Sequence, residues 1–301
     1  MPELPEVSVY VERIRALALG ECLTGIRLAS PFVLRTVEPA PRDFAGRRLK
    51  DVSRLGKRLV LGFDGDLYAV LHLMLAGRLA WRAAGARLAR RRELLAFDFA
   101  SGALVLREAS TKHRASLHLV AGREGLDRFD RGGADVLGGS TSDLVAALRR
   151  RNRTLKRALT DPRVVDGVGN AFSDEILHRA RLSPFALTKD LDDETIGRLH
   201  RAAGEVLNEW IERLRAQAGE GFLTKVKSRR PEMAVHGKYG QPCPVCGAPV
   251  QRLVYAANEA NYCPGCQTGG RVLADRMMSR LLLDDWPKTL DELEEGEAPG
   301  R

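Results

Sequence analysis

Four cysteines constrain this chain more than any other feature. Cys243-Pro-Val-Cys246 and Cys263-Pro-Gly-Cys266 are two CxxC pairs with sixteen residues between them. A Pro or Gly inside each pair favours a tight knuckle that turns both sulfurs toward one point. The spacing matches a four-thiolate zinc ribbon. The expectation is one structural Zn2+ held by Cys243, Cys246, Cys263 and Cys266 in a hairpin over 234–268. A closed site of this kind leaves no open coordination position for chemistry. Two disulfides are the rival reading. A CxxC pair closes poorly as a structural bridge, and the N-terminus lacks the basic and apolar regions of a secretory signal. Cys22 stands outside the set and is expected to be a buried or inert thiol.

The start of the chain is the second signal: Met1-Pro2-Glu3-Leu4-Pro5-Glu6-Val7. A small second residue permits removal of Met1, which leaves Pro2 with a free secondary amine. An α-amino group has a pKa near ~8 against ~10.4 for Lys, so more of it is unprotonated at neutral pH. Attack of such an amine on a sugar C1′ gives an iminium, a covalent electron sink. Glu3 lies beside it as a proton donor. Pro5 suits the first turn of a helix. Val7, Val11, Ile14 and Leu17 recur at three- to four-residue spacing until Gly20, which predicts a helix over 1–20. The positive end of that helix disfavours an ammonium. The rival reading of Pro2-Glu3 is a plain helix lead-in.

The chain has 301 residues and a net charge of +9. Residues 281–301 hold seven acids and two bases, net −5, so residues 1–280 carry 9 − (−5) = +14. A body this basic suits a polyanion, although an Arg-rich genome would inflate the count. There is no run of eighteen apolar residues, so no membrane span is expected. The expected location is cytoplasmic, associated with the nucleoid.

From 23 to 135 the pattern is short and strand-like. Leu59–Phe63, Leu67–Leu71, Leu95–Phe99, Leu104–Leu106 and Leu117–Val120 are separated by turn signals such as Asp64-Gly65-Asp66 and Ser101-Gly102. That density predicts a β-sandwich. After the Gly-rich stretch from Gly132 to Ser140 the period becomes helical, with Ser142, Asp161 and Asp192 as candidate caps. In Asp166-Gly167-Val168-Gly169-Asn170, two glycines allow a tight turn and Asn170 is read as the N-cap of a helix from Ala171. A turn feeding a helix N-terminus is an anion site, with Lys156 as a nearby charge. A simple capped helix is the rival reading. A last helix is predicted over 271–284, with Met277, Met278 and Leu281–Leu283 on its apolar side, and an acidic tail after it. The fold class expected is α+β and multidomain: a catalytic sandwich at 1–135, a helical domain at 140–230, the zinc ribbon at 234–268 and an extension at 269–301.

Together, Pro2-Glu3-Leu4-Pro5-Glu6, Lys57 in Leu55-Gly56-Lys57-Arg58, Gly167-Val168-Gly169-Asn170 with Asp174-Glu175-Ile176-Leu177, and the four-Cys ribbon resemble the formamidopyrimidine-DNA glycosylase and endonuclease VIII family. The resemblance covers residues 1–268 in order. It implies a helix–two-turn–helix domain between sandwich and zinc finger, with damaged duplex DNA bound in the cleft between the halves; separately, nothing in the sequence suggests an obligate oligomer, and a monomer is expected. It implies removal of oxidised bases followed by strand cleavage. Pro2 then matches the nucleophile, Glu3 the acid that opens the sugar ring, Glu6 an acidic position near the reacting centre, and Lys57 a lysine on the phosphate near the lesion. Lys156 and Asn170 match phosphate contacts. A base in a duplex must be flipped out to be reached, at a cost of a few kcal/mol.

The sequence also departs from that family. The ribbon tip usually carries an Arg five residues before the third Cys, and here that position is Asn258, followed by Glu259. Arg252 is the candidate compensating base. The wedge Met of the family aligns with Leu75 in His72-Leu73-Met74-Leu75-Ala76-Gly77-Arg78. The usual Arg-Arg-Phe loop is replaced by Glu108-Ala109-Ser110-Thr111-Lys112-His113-Arg114, where Lys112, His113 and Arg114 are candidate DNA contacts or a solvated turn. The leading expectation is a bifunctional glycosylase and abasic-site lyase acting through a Schiff base on Pro2. The alternatives are a non-catalytic binder of damaged or abasic DNA on the same scaffold, and a zinc-ribbon nucleic-acid adaptor.

Overall fold

The computed structural model describes residues 1–89, 91–108, 110, 114–223, 230–255, 258–274, 289, 290 and 292, without the side chains of Tyr255 and Asn258. The chain divides into two units, residues 1–132 with 207–228 and residues 133–206 with 229–301.

In the first unit, α1 (Leu4–Ala18) has Glu3 as N-cap and Pro5 in its first turn, and ends before Gly20 at φ +87°. Val7, Val11 and Ile14 are buried, as their spacing predicts, together with Leu4 and Ala18, whereas Leu17 is only half-buried. The helix packs on β2 (Leu49–Leu55) and β3 (Arg58–Phe63). Eight strands form two antiparallel sheets. One has the order β1-β6-β7-β5, from Leu23–Leu28, Glu93–Phe99, Ala103–Glu108 and Gly77–Arg82. The other has the order β2-β3-β4-β8, with β4 at Leu67–His72 and β8 at Ser116–Ala121.

Five of these strands are legible in the sequence. The three that are not, β1, β2 and β5, are all edge strands. An edge strand is covered on one side only, so its apolar alternation is weak; β2 buries just Leu49 and Val52 fully. Alternation is clear in the central strands. Leu59 and Leu61 face the opposite way from Val60, which joins Val70, Val120 and Leu126 in a smaller outer cluster beneath α2 (Gly122–Asp127). The other sheet does the same: Ala96, Ala103 and Val105 form an outer cluster, while Phe97, Leu104 and Leu106, also fully buried, take the alternate positions. Cys22, expected to be a buried or inert thiol, is not buried but exposed, because it lies in the link from α1 into β1.

The second unit contains α3 (Thr141–Arg149), α4 (Leu155–Thr160) and α5 (Asn170–Arg179), together with the first part of the long α6 (Asp193–Ala218). Three cap assignments are corrected. Ser140, not Ser142, caps α3: its hydroxyl accepts from the Asp143 N–H, and its own N–H donates to the Asp143 carboxylate. Asp161 closes α4 at its C-terminal end instead of opening a helix. Gly169, not Asn170, is the N-cap of α5, because the Asn170 side chain is engaged elsewhere. Asp192 does cap α6, accepting from the Thr195 N–H at 2.8 Å.

The ribbon follows as β9 (Gln251–Tyr255), β10 (Asn258–Tyr262) and the short α7 (Pro264–Gln267). Most of the helix expected over 271–284, with Met277, Met278 and Leu281–Leu283, and most of the acidic tail lie outside the described residues. No described helix is long and apolar enough to cross a membrane.

Candidate active site and zinc ribbon

The amino terminus is built into the first unit. Pro2, Glu3 and Glu6 are all buried, Glu3 at 5 % and Glu6 at 3 % exposure. The Glu6 carboxylate accepts the Glu3 N–H at 2.8 Å, which fixes the first turn of α1. With Met1 in place, the terminal ammonium is pushed below its ordinary pKa. Burial is the main cause; the Glu3 and Glu6 carboxylates oppose it, and the Arg78 and Lys57 cations reinforce it. The charges of Glu3, Glu6 and Lys57, all singled out in the sequence, thus act on the terminus next to Pro2, together with that of Arg78, which sequence reasoning passed over. Its signal was its place three residues after Leu75.

Lys57 lies in the two-residue Gly56-Lys57 turn between paired Leu55 and Arg58. Gly56 at φ +63° supplies the left-handed first position of a tight hairpin. Leu75 lies in the β4–β5 turn and is 62 % exposed, with Met74 beside it at φ +51°. A Cβ at Gly77 would run into the Leu73 carbonyl, which accepts the Gly77 N–H at 2.8 Å. Arg114 is exposed, and its N–H and that of Ala115 both donate to the buried Glu108 carboxylate at 3.0 Å. Lys112 and His113 lie outside the described residues. A pocket of about 360 Å³ runs along β5, with Arg78, Leu79, Trp81, Arg107, Glu108 and Phe222 in its wall.

In the second unit the structure corrects the reading of Lys156. Its ammonium is 8 % exposed and donates to the Asp174 carboxylate at 2.5 Å, the Ser173 hydroxyl at 2.8 Å and the Asn170 carbonyl at 2.8 Å. A cation satisfied in this way inside the protein holds the start of α5 and presents no charge to phosphate. Asp174 also takes His236 Nδ1 at 2.7 Å and the Asn261 amide at 3.3 Å. Glu175 accepts the N–H groups of Ala234, Val235 and His236 at 2.8–2.9 Å. Asn170, half-buried, donates from its amide to the Glu259 carbonyl at 2.8 Å. The helix α5 is thus bonded directly to both ends of the ribbon. Asn258 is in β10, opposite Tyr255, and its side chain lies outside the described residues. The exposed Arg252 guanidinium lies over the Tyr239 ring, 4.5 Å from its centre.

Cys243, Cys246, Cys263 and Cys266 bring their sulfurs within 4.8 Å of one another. Cys243 and Cys266 are 3.9 Å apart, and Cys246 and Cys263 3.3 Å. A tetrahedral zinc with ~2.3 Å bonds to sulfur has edges of about 3.8 Å, so the set fits the ion. Backbone N–H groups of Val245 and Cys266 point at sulfurs, and His178 Nε2 lies 3.3 Å from Cys243 Sγ. Gly265 is required in the second knuckle, where a Cβ would stand 3.0 Å from Cys246 Sγ. The protein holds one structural zinc here.

Two four-stranded sheets, a helical segment and a four-thiolate ribbon follow one another along the chain. Family models match it in the same order: the formamidopyrimidine-DNA glycosylase N-terminal domain over residues 1–115, the H2TH domain of that glycosylase over 139–219, and the zinc finger found in FPG and IleRS over 240–269. A formamidopyrimidine-DNA glycosylase of Thermus thermophilus is 35 % identical over 289 residues, covering 90 % of this chain and all of the relative. An uncharacterized formamidopyrimidine-DNA glycosylase-like protein of Mycobacterium tuberculosis is 43 % identical over 150 residues, covering 50 % of this chain and 93 % of that one. The complex of the Lactococcus lactis Fpg with DNA containing an abasic site superposes with a TM-score of 0.78 at 24 % identity, covering 88 % of this chain and 99 % of that one. The chain belongs to the formamidopyrimidine-DNA glycosylase family, whose members are DNA-repair glycosylases.

Proposed function

We propose that this protein is a bifunctional DNA glycosylase and abasic-site lyase with Pro2 as its nucleophile. The observation that carries the reading is the buried terminus, held beside two carboxylates and two cations and depressed in basicity by burial. Removal of Met1 exposes the Pro2 amine. Its nitrogen bonds to C1′ of the damaged nucleotide as the C1′–base bond breaks, and the departing base takes up a proton. Glu3 protonates the ring oxygen, the sugar opens, and the C1′–nitrogen bond becomes an iminium. Loss of a C2′ proton then expels the 3′ phosphate, which cuts the strand. Water finally hydrolyses the iminium and frees Pro2. Glu6 positions Glu3 through the hydrogen bond to its N–H.

DNA is the partner in this reading, as it is for the solved Lactococcus lactis relative. Lys57 contacts the phosphate beside the lesion, and Leu75 enters the gap left by the flipped base. Asn170, Asn258 and Arg114, with Lys112 and His113, contact the backbone. Lys156 supports Asn170 from within. The single zinc supplies no chemistry and shapes the ribbon.

The test is borohydride trapping on an oligonucleotide with an abasic site. The wild type, processed to Pro2, should give a covalent adduct. Pro2→Gly should lower the trapping rate by about a hundredfold or more, in line with the loss of a nucleophile that acts in the transition state. A blocked N-terminus should abolish it. Binding without any adduct would instead mark a non-catalytic binder of damaged DNA.

A further inference from the structure

Arg78 is the second residue of β5, directly after Gly77. Its Nη1 donates to the carbonyls of Leu75 at 3.2 Å and Gly77 at 2.6 Å. The first carbonyl lies in the turn that carries the exposed Leu75, and the second where that turn enters β5. That turn includes a left-handed Met74 and the close approach at Gly77, so its shape is specific and strained at one residue. A guanidinium suits the task because its rigid plane aims both N–H groups of one nitrogen at the two carbonyls and keeps its charge. The same side chain lines the pocket along β5, opposite Arg107 in the β5–β7 pairing.

The charge of Arg78 also reaches the amino terminus. The charges that act on the terminal amine are those of Glu3 and Glu6 at the start of α1, Lys57 in the β2–β3 turn and Arg78 in β5. Tyr10, on the same helix, lies within the influence of both Arg78 and Glu6. The two cations favour the unprotonated amine, and the two carboxylates oppose them.

We propose that Arg78 is a positioning residue that couples the Leu75 turn to the amino terminus, one guanidinium both fixing the turn and holding a positive charge beside the attacking amine. The proposal rests on the lyase reading above. It makes the opening of the duplex and the chemical step depend on one side chain. Arg78→Lys keeps the charge and gives up the rigid plane; Arg78→Gln keeps a donor and gives up the charge.

The experiment uses the full-length, zinc-loaded protein and measures borohydride trapping across a pH series. Two substrates are compared, a single-stranded abasic oligonucleotide and the same abasic site in a duplex. Arg78→Lys should slow trapping on the duplex by about tenfold, the effect of losing a hydrogen bond from a charged group, and slow the single strand less. Its pH midpoint should match the wild type. Arg78→Gln should show the duplex loss and also a midpoint moved to higher pH. The loss in Arg78→Lys should be non-additive with that in Leu75→Ala, because the first acts through the second. Thermal midpoints measured alongside separate these effects from unfolding. Equal duplex rates for Arg78→Lys and wild type, additive losses with Leu75→Ala, or an unmoved midpoint in Arg78→Gln would overturn the inference. Wild-type protein that forms no adduct overturns the lyase reading and this inference with it. Adduct formation by wild type with unaffected Arg78 variants overturns the inference alone.

Discussion

At the scale of single residues, two positions near the proposed site bear on the stability of the first unit. His72 ends β4, opposite Arg58, and titrates at about 4 instead of its ordinary 6.5. Burial is the main cause, followed by the charges of Arg58, Lys57 and His118. The folded protein therefore binds fewer protons than the unfolded chain between about 4 and 6.5. Its stability should fall as pH drops through that window, with the loss complete below the lower value. His72→Asn should flatten this limb by an amount of order 2 kcal/mol, read from urea melts at several pH values. An unchanged pH profile in the variant would exclude His72 as its source. Gly77 is the second position. Gly77→Ala forces a Cβ against the backbone carbonyl of Leu73, which cannot swing away as a side chain would. The expected destabilisation is about 1–3 kcal/mol by thermal melting, with slower trapping on duplex than on single strand because the Leu75 turn shifts. A variant as stable as wild type would mean that the turn relaxes freely.

At the scale of elements, α5 organises the second unit through buried carboxylates. Asp174 and Glu175 are adjacent, yet one faces Lys156, His236 and Asn261 while the other collects three backbone N–H groups. Adjacent residues on a helix point about 100° apart, so consecutive acids reach different neighbours. Lys156→Met should leave the fully buried Asp174 carboxylate without its main counter-charge and destabilise the unit by about 3–5 kcal/mol. A chemical denaturation series measures this. The same variant, where folded, should keep the wild-type slope of log affinity against log salt. A slope smaller by about one would show that the ammonium reaches a phosphate after all. The motif Gly167-Val168-Gly169-Asn170 is thus an element boundary whose shape is held from beneath by Lys156 and from the ribbon by Glu259, through the bond from Asn170.

At the scale of the whole molecule, the zinc and the charge act on different steps. Elemental analysis should find about one zinc per chain, and strong chelation should unfold the ribbon, since a four-thiolate site contributes folding free energy directly. Pro2, Glu3, Lys57 and Leu75 all lie in the first unit, so chelation should weaken duplex binding far more than trapping on a single-stranded abasic site. Equal loss of both would mean that the chemistry depends on the ribbon. What the sequence by itself determined was whatever rests on local spacing: the zinc knuckles, the amphipathic α1, the central strands with their alternation, and the Pro-Glu start. Those signals are local because a metal knuckle, a helix face and a pleat each repeat within a few residues. Tertiary structure alone decided that the charge of Arg78 acts on the terminus, that Lys156 turns inward, that Cys22 is exposed, that Glu108 accepts the N–H groups of Arg114 and Ala115 and that His178 faces a zinc thiolate. Each of these depends on groups brought together from distant parts of the chain, or on which side of an element meets solvent. A charged residue has the same appearance in sequence whether its partner is phosphate or a buried carboxylate; only the packing around it selects between them.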